Sequence, residues 1–160
     1  MNFRLGLIFL ILIFTSCGKV NTSDNIALLL NQSDNVWFRY NEMKTWKPNQ
    51  AEIDLSEKLI LKIIDEKKAA FDVKQVYNNI DNYFYQLIPY LDQNNRKIIY
   101  VNSLCRAFVV NPLPNPNGKR KKEIGWKNNL IDVNDGGSCF WQVQIDIEKQ
   151  EYFDFSVNGF

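Results

Sequence analysis

The chain has 160 residues, with 19 basic and 18 acidic side chains and no histidine. A charge balance this close argues against nucleic acid or an anionic bilayer surface as main partner, because both select a strongly basic patch. The absence of histidine excludes Ser-His-Asp and Cys-His catalysis, histidine-containing zinc sites and histidine pH sensing.

The chain begins with a short apolar segment that ends at a cysteine. Arg4 precedes an apolar core of about ten residues, within the roughly 7–15 expected of a secretory signal. A membrane-spanning helix needs about 20 apolar residues, so a permanent span is not expected. The sequence Thr15-Ser16-Cys17 resembles the lipobox of bacterial lipoproteins, although Phe14 stands where that family more often has an aliphatic residue.

This resemblance implies where in the cell the protein is located. Residues 1–16 would be a lipoprotein signal peptide, and Cys17 would carry acyl chains such as palmitate on its sulfur and its new amino group. Two or three chains anchor stably, since each buried methylene contributes roughly 0.8 kcal/mol. The protein is then expected on the cell membrane or outer membrane, facing the periplasm. The alternatives are an ordinary secretory signal and an uncleaved apolar helix.

The segment after the signal, residues 17–35, is predicted to be a polar tether, and residues 36–160 a single domain. Ile26 to Leu30 interrupt the tether with a short apolar contact, for which a helical turn is one interpretation.

A helix is predicted over residues 50–67. Asn49 is a good N-cap, Glu52 completes a capping box, and Pro48 prevents an earlier start. The apolar residues at helical spacing, which predict a core-facing stripe, are Ile53, Leu59, Ile60, Ile63 and Ile64.

The hydrophobic period changes to two after residue 82. Residues 83–91 and 97–105 are predicted to form a hairpin around the polar turn 92–95. Pro89 indicates an edge or bulged strand. One face of the second strand carries Ile99, Val101, Ser103 and Cys105, and the other carries Ile98, Tyr100, Asn102 and Leu104.

A long exposed loop is predicted over residues 109–125, where prolines alternate and a basic run follows. The basic run has two interpretations, a contact surface for an anionic partner and an ordinary solvated loop. Its residues are Lys119, Arg120, Lys121 and Lys122.

Three more strands are predicted towards the end of the chain. They cover residues 129–133, 139–147 and 152–157, with Gly136 and Gly137 in a turn or bulge before the second. In the second, Cys139, Trp141, Val143, Ile145 and Ile147 share one face. In the last, the apolar face is Phe153, Phe155 and Val157.

The predicted fold class is α+β, with one main N-terminal helix packed on a four- to five-stranded antiparallel meander. This order resembles the cystatin-like and NTF2-like rolls. The segment 135–159 also resembles the carboxy-terminal part of small uncharacterised bacterial lipoproteins.

Cys105 and Cys139 are a candidate disulfide, because their strands carry them on apolar faces and an envelope compartment is oxidising. Two buried free thiols are the alternative. Asp132, Asp135 and Asp146 lie near the glycine turn and are candidates for acid–base or calcium chemistry, although such residues usually cap backbone amides.

We expect a non-enzymatic binding module of the cell envelope, with no cofactor, no metal and no nucleic-acid partner. Its candidate binding residues are Asp135, Trp141 and the basic run, with a core role as the alternative for Trp141. Two other functions stay open. One is an envelope inhibitor or immunity protein against a secreted enzyme or toxin, and the other is a carboxylate-based hydrolase.

Overall fold

The computed structural model describes residues 22–30, 44–67, 82–110 and 125–158. The predictions for the signal peptide, for Cys17 and for the basic run at residues 119–122 lie outside these ranges.

Within the described ranges the chain is α+β, with one main helix and a mixed sheet of six strands. The elements in chain order are β1 (Ile26–Leu28), β2 (Lys44–Thr45), α1 (Gln50–Lys67), β3 (Tyr83–Leu91), β4 (Lys97–Cys105), the short helix α2 (Arg106–Val110), β5 (Phe140–Asp146) and β6 (Glu151–Val157). A short 3₁₀ helix, Gly137–Cys139, precedes β5.

Helix α1 begins where its capping residues predict. The Glu52 amide donates to Asn49 Oδ1 at 3.0 Å, and the Asn49 amide donates to Glu52 Oε2 at 2.8 Å. This reciprocal pair satisfies two backbone donors that the first turn leaves open. Of the helices in the described ranges, none is long and apolar enough to cross a membrane.

The sheet has the order β1-β3-β4-β5-β6, and β2 pairs with the far end of β3. Strands β3 to β6 form an antiparallel meander, and the bounds of β3 and β4 are those that the sequence predicts. Strand β1 runs parallel to β3. The apolar contact within the predicted tether is therefore a strand rather than a helical turn, and its residues belong to the sheet.

The interpretation of β3 as an edge strand is wrong, because β4 lies on one side of it and β1 and β2 lie on the other. The Tyr85 amide points towards β1 and donates to Asn25 O at 2.8 Å. Backbone groups alternate along a strand, so the nitrogen of Pro89 points to the same side. Strand β1 pairs with β3 as far as Leu87, and β2 pairs with β3 at Tyr90 and Leu91. Pro89 falls between these two paired stretches, so its missing N–H costs the sheet no hydrogen bond.

Two apolar clusters cover the two faces of the sheet. The first lies between α1 and the sheet and contains Ile63, Val101 and Trp141. The second lies on the opposite face, which we call the outer face, and contains Trp126 and Phe140. The outer face is covered by irregular chain from residues 125–135 and by the short helix α2, whose Phe108 and Val109 pack in this cluster.

The predicted strand at residues 129–133 is wrong, because this segment is irregular. Its backbone bonds to side-chain amides of the sheet instead of to another strand. Gln86 and Asn102 supply these amides, and the segment therefore lies across the outer face.

The predicted apolar face of the last strand is wrong at Phe153. The β5–β6 register changes between Gln142, opposite Ser156, and Gln144, opposite Phe153, so β6 has one extra residue there. Asp154, in this bulge, has φ of 49°. The extra residue turns Phe153 to the outer cluster, while Phe155 and Val157 pack against the cluster under α1.

Candidate functional site: a polar cavity on the outer face

A row of polar side chains crosses the outer face of the sheet. Tyr100 lies opposite Gln144, and Asn102 lies opposite Gln142, on β4 and β5. Ser156 of β6 continues the row opposite Gln142. Because side chains alternate between faces, the apolar residues between these positions fill the core under α1. The alternation that builds the core therefore also builds a polar outer surface.

An irregular wall stands beside this row, and Gln86 holds it in place. Gln86 Nε2 donates to Trp126 O at 2.5 Å and to Asn129 O at 2.7 Å. Gln86 Oε1 accepts from the Ile131 amide at 3.0 Å and from Asn102 Nδ2 at 2.9 Å. Gln86 is fully buried, and its amide group is satisfied by these four bonds.

The wall is closed at its far end by the last described residue. Asn158 Nδ2 donates to Val133 O at 2.6 Å, and the Asn158 amide donates to Phe140 O at 2.9 Å. These two bonds join the end of β6 to both the wall and β5. The wall is thus attached to the sheet at both ends.

Together the sheet and the wall line a half-open cavity of about 540 Å³. This volume lies within the range of small-molecule sites. The cavity is lined by Tyr100, Asn102, Leu130, Ile131, Asp132, Val133, Asn134, Asp135, Phe140, Gln142, Gln144, Asp154, Ser156 and Asn158.

The polarity of the lining differs between its floor and its rim. Tyr100, Gln142 and Gln144, on the central strands, are half-buried and uncharged. The three carboxylates, Asp132, Asp135 and Asp154, are exposed. Among the described residues, the lining contains no Lys or Arg side chain. The cavity therefore has a neutral floor and an acidic rim.

The floor stays neutral at physiological pH. Burial raises the pKa of Tyr100 to about 12, and the nearby carboxylate of Asp132 adds to this shift. Tyr90 donates its hydroxyl hydrogen bond to Gln144 Oε1, and its pKa is raised by burial and then by Asp92 and Asp154. Gln144 Nε2 donates in turn to Asp154 Oδ2 at 2.7 Å. This chain of bonds fixes the Gln144 amide orientation.

Cys105 and Cys139 are joined by a disulfide at the end of the β4–β5 ladder, with their Cα atoms 4.8 Å apart. They lie one step beyond the paired residues Leu104 and Phe140. The bond fixes the 3₁₀ turn that leads into Phe140, a cavity residue. A Cβ on Gly136 would lie 1.9 Å from the Phe140 ring, so this turn requires glycine.

The structure separates the three aspartates that the sequence places near the glycine turn. Asp132 and Asp135 line the cavity, whereas Asp146 lies at the other end of β5 and is only 2% exposed. Asp146 Oδ2 is 3.2 Å from Arg96 Nη1, and its Oδ1 accepts from the Lys149 amide. Among the described residues, no group of three or more His, Cys, Asp or Glu side chains is placed to hold a metal ion.

Trp141 is a core residue, so its interpretation as a binding residue is wrong. Its side chain is fully buried on the face under α1 and makes edge contacts with the rings of Tyr83 and Tyr85. It cannot touch a ligand in the cavity, which lies on the opposite face of β5. Gln142, the next residue, lines the cavity instead.

Sequence reasoning missed the polar residues of the floor as a site. Their signal is present, because Tyr100, Asn102, Gln142 and Gln144 alternate with core residues along two neighbouring strands. The wall that converts this row into a cavity gives no such signal. Comparison of the chain with protein-family models, with curated proteins and with solved structures gives no match.

Proposed function

We propose that this protein is a lipid-anchored cell-envelope protein whose domain binds a ligand without catalysis. The observation that carries the binding role is the outer-face cavity, with its neutral floor and acidic rim. The complete absence of histidine supports a binding role over most acid–base chemistry.

The proposed location in the cell envelope rests on the apolar segment that ends at Cys17. The disulfide between Cys105 and Cys139 supports it, since such bonds persist in oxidising compartments outside the cytosol. The partner on the membrane side is the bilayer, through acyl chains on Cys17. We place the domain on the periplasmic side of the cell membrane or outer membrane.

For the fold, we propose a curved roll of the cystatin-like or NTF2-like kind. The packing of α1 against one face of the β3–β6 meander supports this proposal. The parallel strand β1 is an addition to that arrangement. The alternative role as inhibitor or immunity protein rests on a cystatin-like sheet together with the basic run at residues 119–122, and that run lies outside the described ranges.

The test of anchoring is the Cys17→Ser variant of the full chain, expressed in a bacterium that processes lipoproteins. We expect the parent chain to incorporate labelled palmitate and to sediment with membranes, and the variant to do neither. The Cys105→Ser/Cys139→Ser double variant is the matched control and should still be labelled. The anchoring proposal fails if the Cys17→Ser variant sediments and matures like the parent.

A further inference from the structure

We infer that the outer-face cavity binds a neutral, hydroxyl-rich ligand with one apolar side, which is the chemistry of a small saccharide. This inference rests on the proposed binding role and names its ligand class. The volume of about 540 Å³ suits an organic molecule of this size.

The floor of the cavity offers hydrogen-bonding groups that are not used within the described part of the chain. Gln142 is half-buried at the centre of the row, and the structure shows no bond from its side-chain amide to another described residue. Ser156 lies directly opposite it on β6 at the exposed side of the cavity, and its hydroxyl shows no bond to another described residue. A carboxamide and a hydroxyl can each donate and accept, as a sugar hydroxyl requires.

The rim disfavours an anionic ligand. Asp132 and Asp135 are exposed acceptors, and the described residues of the lining include no Lys or Arg to offset them. A phosphate or carboxylate in the cavity would meet like charge on this rim. Neutral hydroxyls, in contrast, can donate to these carboxylates.

The uncharged floor disfavours the binding of a cationic ligand. An ammonium group on the floor would lose water next to Tyr100 and Gln142, neither of which carries charge. The rim carboxylates are solvent-exposed, and exposed ion pairs contribute only about 0–1 kcal/mol each. That gain is smaller than the cost of desolvating the cation.

The cavity lining also includes apolar side chains. Leu130 and Val133 of the wall and Phe140 of β5 line the cavity, and all three pack with the outer apolar cluster. A pyranose ring has hydroxyls around its edge and C–H groups on its faces. The polar and the apolar side chains of the lining therefore match the hydroxyl groups and the C–H groups of one sugar ring.

The experiment uses the full chain in a detergent without a sugar headgroup. An array of neutral oligosaccharides is screened first, and the strongest binder is titrated calorimetrically beside spermidine, citrate and a neutral tripeptide. We expect binding of a neutral saccharide that changes less than about twofold with added salt, because it uses no ion pair.

Variants of the floor test the site. Gln142→Ala should weaken saccharide binding about tenfold and Ser156→Ala about fivefold, as expected for lost hydrogen bonds. Gln142→Met keeps about the size of the side chain but removes both its donors and its acceptor, so it should weaken binding as well. Thermal melting checks that each variant folds, and Gln93→Ala, in the exposed β3–β4 turn, is the control that should bind like the parent.

Binding only of spermidine, citrate or the tripeptide would overturn the saccharide inference while leaving a binding role. No binding of any probe would overturn the inference as well. Saccharide binding that persists in Gln142→Ala and Gln142→Met would place the ligand elsewhere and overturn the site. Sedimentation of the Cys17→Ser variant tests the anchor separately.

Discussion

Gln86 and Asn102 lie opposite each other on β3 and β4, and Asn102 Nδ2 donates to Gln86 Oε1 at 2.9 Å. Both are buried on the outer face of the sheet. Asn102 Nδ2 also donates to Ile131 O at 2.7 Å, so the pair holds the backbone of the cavity wall. Two side-chain amides therefore act for the wall as a neighbouring strand would.

Replacing Gln86 with alanine should destabilise the domain by about 3–4 kcal/mol. The substitution removes four hydrogen bonds and leaves the Ile131 amide and Asn102 without this acceptor, at about 1 kcal/mol for each bond. Urea unfolding measures the free energy, and hydrogen exchange at Ile131 should speed up. Gln93→Ala, at an exposed turn position, is the matched control and should change stability by less than about 0.5 kcal/mol. Equal stability of the two variants would contradict this role of Gln86.

The wall shows why residues 129–133 could not be predicted correctly. Leu130, Ile131 and Val133 have the apolar, β-branched character of a strand. Their backbone partners are side chains on β3 and β4, and Gln86 lies 45 residues from Ile131 in sequence. The local sequence does not show whether the side-chain amide of a Gln or Asn binds the backbone of a distant segment or is solvated.

Removing the disulfide by the Cys105→Ala/Cys139→Ala double substitution should lower the free energy of unfolding by about 3–4 kcal/mol. The two cysteines are 34 residues apart. A disulfide that closes a loop of this length removes conformational entropy from the unfolded chain, and this raises the free energy of unfolding by the stated amount. Urea unfolding of the parent with and without a reductant should give the same difference. The double variant, which has no bond to reduce, is the control and should not respond to the reductant. A parent that is equally stable with its disulfide reduced would contradict the expectation.

Replacing Asn49 with alanine should cost about 1 kcal/mol. The substitution removes the acceptor for the Glu52 amide at the first turn of α1. Glu52 also holds Lys97 Nζ of β4 at 2.9 Å, so the cap fixes the helix start against the sheet. Thermal and urea unfolding measure the loss. Asn94→Ala, in the exposed turn of the hairpin, is the control, and a loss as large there would argue against a specific cap.

The helix and the first hairpin could be predicted because their signals are local. Asn49 and Glu52 lie three residues apart, and the period of two along β3 and β4 fixes both strands. The direction of Phe153 could not be predicted, because it depends on one extra residue in β6 relative to β5. A shift of one residue reverses the face of a side chain, and the sequence of β6 alone does not show it.

Substitutions at Asp154 test the bulge in β6. The φ of 49° at Asp154 lies in the left-handed region, which asparagine tolerates and β-branched residues do not. Asp154→Val should therefore destabilise the domain by about 1–3 kcal/mol, whereas Asp154→Asn should lie within about 0.5 kcal/mol of the parent. Both variants lose the negative charge. Asn keeps an acceptor for Gln144 Nε2 and Val does not, so their difference in urea unfolding contains this exposed hydrogen bond as well as the backbone strain. Equal stability would indicate that β6 pairs with β5 without the bulge.

The domain should lose stability in alkali between about pH 10 and pH 12. Burial raises the pKa of Tyr83 to about 12, and burial followed by Asp132 raises that of Tyr100 to about 12, against an ordinary value of 10.0. Between these values the folded chain keeps protons that the unfolded chain releases, so unfolding becomes more favourable as the pH rises. The stabilisation is complete below pH 10 and lost as the pH passes the folded values. Tyr100→Phe should make the fall in stability shallower, as measured by urea unfolding at several pH values with the tyrosinate absorbance recorded in parallel. An unchanged slope in this variant, or a Tyr100 that ionises at its ordinary pKa while the chain is folded, would show that the cavity floor is open to water.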